Sequence, residues 1–219
     1  MTVTSRALAL SGLVLWLAGC GATTTVDEYR SSDQPIVIDA SETVAILGRR
    51  DAGHYETDRE FIDCIGAKLE SSTVRIVPEQ LLIDAIYPWF EPRVAPKTLG
   101  RLRQLLDNPL VLAQINALQL RYLIWVDGST ESAQPSGSMS CAIGPGGGGC
   151  FGFAQWDKSS IYEAIVWDLR DRTERGRVRV DSQGTSYLIG AVAPIPMFTP
   201  VKSDACAGLG EQLSDYFEG

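Results

Sequence analysis

Histidine is nearly absent from this chain: His54 is the single one among 219 residues. Ser-His-Asp hydrolysis would have to run through that residue, and no Gly-x-Ser-x-Gly turn is present to supply a nucleophile. There is no Cys-x-x-Cys pair, and one histidine cannot build the clustered ligand sets that zinc requires, so no metal or other cofactor is expected. Basic residues are in deficit as well. With 19 Lys and Arg against 27 Asp and Glu, the formal charge is -8, which repels phosphate backbones and argues against nucleic acid as a partner. Long hydrophobic runs are also missing. The apolar stretch Ala7 to Ala18 would rise only about 18 Å as a helix, well short of a bilayer core of roughly 30 Å.

That short stretch has a different reading. Arg6 precedes it and Leu17-Ala18-Gly19-Cys20 ends it. The layout is that of a secretory signal, and its last four residues resemble a bacterial lipobox. The resemblance implies cleavage before Cys20, diacylglycerol on its thiol and a palmitate-class acyl chain on the new amino terminus. Several acyl chains hold a protein on a membrane far more firmly than one. Gly21, rather than Asp, follows the cysteine, which by the same resemblance implies the periplasmic face of the outer membrane. Residues 1–19 are thus expected to be a signal peptide and residues 20–35 a lipidated flexible tether with a reach of about 20 Å, because almost nothing in them can be buried. Residues 36–219 are expected to form one periplasmic domain.

Within that domain, Thr43–Gly48 reads as a buried strand. Thr57 and Glu60 have capping-box spacing ahead of a helix through Phe61, Ile62, Cys64, Ile65 and Leu69. Residues 74–77 form a second strand, and Pro78 opens a second helix. Three prolines at 88, 92 and 96 mark an extended connector. Helices from Thr98 and from Asn108-Pro109 follow, then a strand at Tyr122–Asp127. Residues 128–158 form a glycine-rich excursion. The alternating segments 160–169 and 177–180 form a hairpin, and a helix capped by Ser203 carries Cys206, Leu209, Leu213 and Tyr216 on one stripe. The order β-α-β-α-α-α-β-β-β-α predicts an α+β domain. It comprises a mixed sheet of about five strands with helices packed on it, in two layers or a three-layer-like arrangement.

This element order, together with Arg121-Tyr-Leu-Ile-Trp-Val-Asp-Gly128, resembles the domain shared by the TolB amino-terminal region, lipoprotein activators of penicillin-binding proteins and the curli-secretion lipoprotein. The resemblance implies a non-catalytic module that binds an envelope protein or its own copies. It also implies that the first and last helices lie side by side, which would allow a disulfide between Cys64 and Cys206; the alternative is two buried thiols.

Cys141 and Cys150 bracket a run of glycines. Gly144 to Gly149 has the letters of Gly-x-Gly-x-x-Gly, but Phe151-Gly-Phe153 and then a strand follow where a helix should hold pyrophosphate, so no nucleotide is expected. A Cys141–Cys150 bond would restrict the costly unfolded freedom of the loop and hold Phe151, Phe153 and Trp156 in place, as a partner-binding patch or folded back on the domain. The competing function is a periplasmic hydrolase using His54, with Asp51 or Glu56, or a carboxylate pair.

Overall fold

The computed structural model describes residues 21–31, 36–49, 57–70, 74–91, 94–145 and 147–218. Cys20 and His54, with Asp51 and Glu56, lie outside the described residues. The described residues fold as an α+β domain with one mixed sheet and five helices. Its strands are β1 (Thr23–Arg30), β2 (Thr43–Gly48), β3 (Ile76–Val77), β4 (Leu120–Ser132), β5 (Ser136–Gly144), β6 (Gly147–Asp168), β7 (Thr173–Val192) and β8 (Pro194–Met197). The helices are α1 (Arg59–Leu69), α2 (Glu79–Ala85), α3 (Leu99–Leu106), α4 (Pro109–Ala117) and α5 (Val201–Glu218).

The sheet runs β1-β7-β6-β4-β2-β3, with β5 added on β6 and β8 on β7. Strand β2 is parallel to β3 and β4, and the other pairings are antiparallel. Because side chains alternate along a strand, β2 feeds two cores. Val44 and Ile46 join Phe61, Ile65, Leu209 and Leu213 of α1 and α5 on one face. Ala45 and Leu47 join Leu82, Leu102, Val111 and Trp167 on the other, under α2, α3 and α4. Full burial of each such side chain is worth about 1.5–3 kcal/mol.

Eight strands replace the expected five: β1, β5 and β8 are additional, and β8 adds to β7 as a short antiparallel edge. Residues 23–30, expected to be flexible tether, form β1, whose β-branched Thr23-Thr-Thr-Val26 run adds to the edge of β7. The excursion at 128–158 is strand over most of its length, extending β4 and β6 and adding β5. Neither segment buries a face, so neither carries the apolar alternation that marks a half-buried strand. Two local details differ as well. Asp58, not Thr57, caps α1 by accepting the Glu60 N–H, while the Thr57 hydroxyl donates to the Val126 carbonyl at 3.0 Å. The connector after α2 turns rather than extends, and Phe90 is buried in the core.

The first and last helices are joined twice. A Cys64–Cys206 disulfide links α1 to α5 with the Cα atoms 6.4 Å apart. The Lys202 ammonium bridges Asp58 at 2.7 Å and Glu60 at 2.8 Å, which raises the lysine pKa and lowers that of Asp58, in each case chiefly through their hydrogen bond.

Candidate functional site

Strands β6 and β7 are too long for the core that they start from. Their distal halves leave it together, flanked by β5 and β8, as a four-stranded antiparallel arm in the order β5-β6-β7-β8. No Asp, Glu, Lys, Arg or His occurs between Ala133 and Trp156, or between Ser182 and Val201. The arm is therefore uncharged on both faces, in a chain whose net charge is -8.

Register decides which side chains share a face. Phe153 pairs with Ile189, and Ile189 with Ile195, while Tyr187 pairs with Met197. Phe151 lies two residues before Phe153 and so falls on the same side. This face stands open: Phe151 is 65% exposed, Ile195 55%, Phe153 43%, Met197 39% and Ile189 38%. The Phe153 and Tyr187 rings touch across it, with centroids 5.8 Å apart. Exposed apolar patches of this kind, on an otherwise polar surface, mark interaction sites.

The structure does not place Phe151, Phe153 and Trp156 on one face. Trp156 is an odd number of residues from the two phenylalanines and points to the opposite face, half-buried, where its ring meets Phe198 edge-on at 6.1 Å. Ile189, Ile195 and Met197 take its place on the patch. Small residues between them hide their alternation in the sequence, but the absence of charge over 182–201 was a legible sign.

The tip is closed by the Cys141–Cys150 disulfide, whose residues sit directly opposite each other in the β5–β6 ladder with Cα atoms 4.0 Å apart. Next to it the two backbones approach closely through glycines. Gly152 has φ 145°, and a Cβ there would lie 2.2 Å from the Ser138 carbonyl oxygen. Gly137 has φ 111°, and a Cβ there would lie 2.2 Å from the Phe153 carbonyl oxygen. Any larger residue at either position would push β5 off β6.

Where the arm joins the core, Thr23, Glu131, Asp157, Lys158, Gln183 and Thr185 are among the residues that line an open groove of about 670 Å³. At the opposite end of the sheet, Arg121 and Arg170 line a second groove. There the buried Asp168 carboxylate accepts from Arg121 at 2.8 Å and from the Arg170 and Asp171 N–H groups. Burial nevertheless raises its pKa, outweighing those partners. Among the described residues, no group of three His, Cys, Asp or Glu side chains is placed to hold a metal ion. No described helix is long and apolar enough to cross a membrane.

No protein-family model matches the chain, and no curated protein matches it. Among solved structures, the chain is similar to a variant PelC dodecamer from Paraburkholderia phytofirmans, at 11% identity and a TM-score of 0.39, over 90% of this chain and 99% of that one. A second PelC dodecamer from the same organism is 13% identical with a TM-score of 0.38, over 89% and 97%.

Proposed function

We propose that this chain is a lipid-anchored periplasmic envelope protein, held on the outer membrane through Cys20, and that it acts without catalysis as an assembly module through its arm. The observation that carries the reading is the open apolar face of Phe151, Phe153, Ile189, Ile195 and Met197 on an uncharged, disulfide-closed arm. A monomer gains nothing from holding five such side chains in water, whereas a partner that covers them gains about 25 cal/mol per Å² of apolar surface removed from water.

The course of β1 supports the same reading. Thr23 pairs with Gln183 at the base of the arm, and the three residues back to Cys20 span at most about 11 Å. A lipid on Cys20 would therefore attach beside the arm instead of on a long leash, and the partner would be met close to the membrane surface.

The test is cross-linking in intact envelopes. Exchanging Phe151→Ser and Phe153→Ser together should abolish cross-links to other envelope proteins while costing about 1 kcal/mol of stability, chiefly the ring contact of Phe153 with Tyr187. Cys20→Ser should leave unprocessed precursor that takes up no labelled fatty acid. Cross-links to other proteins that survive the double exchange, or normal acylation of the Cys20 variant, would refute the corresponding half of the proposal.

A further inference from the structure

A β-sheet edge presents unpaired N–H and C=O groups, and folded proteins guard such edges with charge, proline or brevity. Three of the edges among the described residues are guarded. Strand β1 carries Asp27, Glu28 and Arg30. Strand β3 has only Ile76 and Val77. Strand β8 reads Pro-Ile-Pro-Met, so two of its four residues have no N–H to offer.

Strand β5 is the exception. Its nine residues, Ser136-Gly-Ser-Met-Ser-Cys-Ala-Ile-Gly144, contain no charge and no proline, and they pair on one side only, with β6. At about 3.4 Å per residue, roughly 30 Å of open edge runs along the arm.

We infer that β5 is the edge by which two copies of this chain pair, antiparallel, about a dyad at Ser140. The inference rests on the reading of the arm as an assembly element and adds a second copy of this chain at its open edge, beside the partner that the apolar face meets. Three observations favour that occupant. The chain carries a net charge of -8, so most approaches between two copies are repulsive, but the arm is uncharged and meets no such barrier. A foreign strand selected by charge would find nothing complementary on β5. Finally, β5 suits pairing with itself. A dyad at Ser140 overlaps all nine residues, sets Ser140 against its own mate, Ser138 against Ala142 and Met139 against Cys141, and places no bulky pair on the serine face.

The geometry has a consequence for the apolar face. Continuing a pleated sheet through a dyad perpendicular to it keeps equivalent faces on the same side. The Phe151 and Phe153 rings of both copies would then stand on one side of an eight-stranded sheet, flanking the central serines.

The test uses the mature full-length protein in detergent, with its mass followed against concentration by analytical ultracentrifugation. A dimer is expected. Ser140→Lys sets like charges directly opposite each other at the dyad and should weaken dimerisation roughly tenfold or more. Ser138→Lys combined with Ala142→Glu sets opposite charges across the same register and should leave the dimer intact or tighten it. Ser138, Ser140 and Ala142 are exposed, and an intact Cys141–Cys150 peptide in each variant reports a folded arm. A wild-type protein that stays monomeric at every concentration, an assembly larger than two, or a Ser140→Lys dimer of unchanged strength would overturn the inference. Phe151→Ser with Phe153→Ser should lose envelope cross-links to other proteins yet keep the dimer and its self cross-link, so failure of the apolar-face reading and failure of β5 pairing give different results.

Discussion

Tyr216 lies buried on α5 and donates its hydroxyl hydrogen to the Tyr29 carbonyl of β1 at 2.9 Å, with the Arg30 guanidinium over its ring. Burial first, and then the nearby Glu28 carboxylate, push its pKa up to about 12 from 10.0. The folded state therefore favours the neutral phenol. Its contribution to stability is complete below pH 10 and is lost as pH rises through about 12. Tyr216→Phe should cost about 1 kcal/mol at neutral pH. Denaturant titrations at neutral and strongly alkaline pH check both statements, since the difference between wild type and variant should shrink at the alkaline end. A difference that grows with pH would contradict the assignment.

At the level of the element, β1 is an edge strand that the sequence alone assigns to a tether. It forms a single ladder with β7, and its Val26 packs near Gly208 of α5. The Ser31 N–H bonds the Arg175 carbonyl opposite it, so every second residue back along β1 turns its N–H to β7; Asp27→Pro removes one of these donors, and an expected loss of about 1–3 kcal/mol follows. Hydrogen exchange offers a sharper readout. The β7 amides that face β1, those of Arg177, Arg179, Asp181 and Gln183, should lose protection in the variant, while those of β2 and β4 keep theirs. Uniform loss across the sheet would mean that β1 belongs to the cooperative core.

Across the whole molecule the two disulfides have different weights. Cys64–Cys206 closes a separation of 142 residues inside the core, whereas Cys141–Cys150 closes 9 at the tip of the arm. The chain-entropy argument gives about 5 kcal/mol as an upper value for the long ring and roughly 3 for the short one. The short ring, however, restrains only the arm, whose opening need not unfold the rest. Cys64→Ala with Cys206→Ala should therefore lower Tm by about 2–4 °C for each kcal/mol lost. Cys141→Ala with Cys150→Ala should leave Tm nearly unchanged and raise exchange at the arm alone. Equal drops in Tm would show that arm and core unfold together.

Much of the core was determined by the sequence alone, because it is written in local periods. Thr43–Gly48 had to be a buried strand, Thr98 and Asn108 had to cap helices, and the stripe of Cys206, Leu209, Leu213 and Tyr216 had to face the sheet, each from spacing within a few residues. The Cys141–Cys150 pair followed from their place in one glycine-rich segment, whereas the sequence left Cys64 and Cys206 as either a disulfide or two buried thiols until the fold brought α1 against α5. The arm was beyond local reading. A strand open to water on both faces has no apolar alternation to reveal it, and serine and glycine in β5 resemble any loop. The docking of Thr23–Arg30 depended on β7, far along the chain. Only tertiary register decided that Phe151 and Phe153 stand with Ile189, Ile195 and Met197 while Trp156 turns away. The physical reason is that a strand's face has no meaning until a neighbour fixes its register and a core fixes which side is inside.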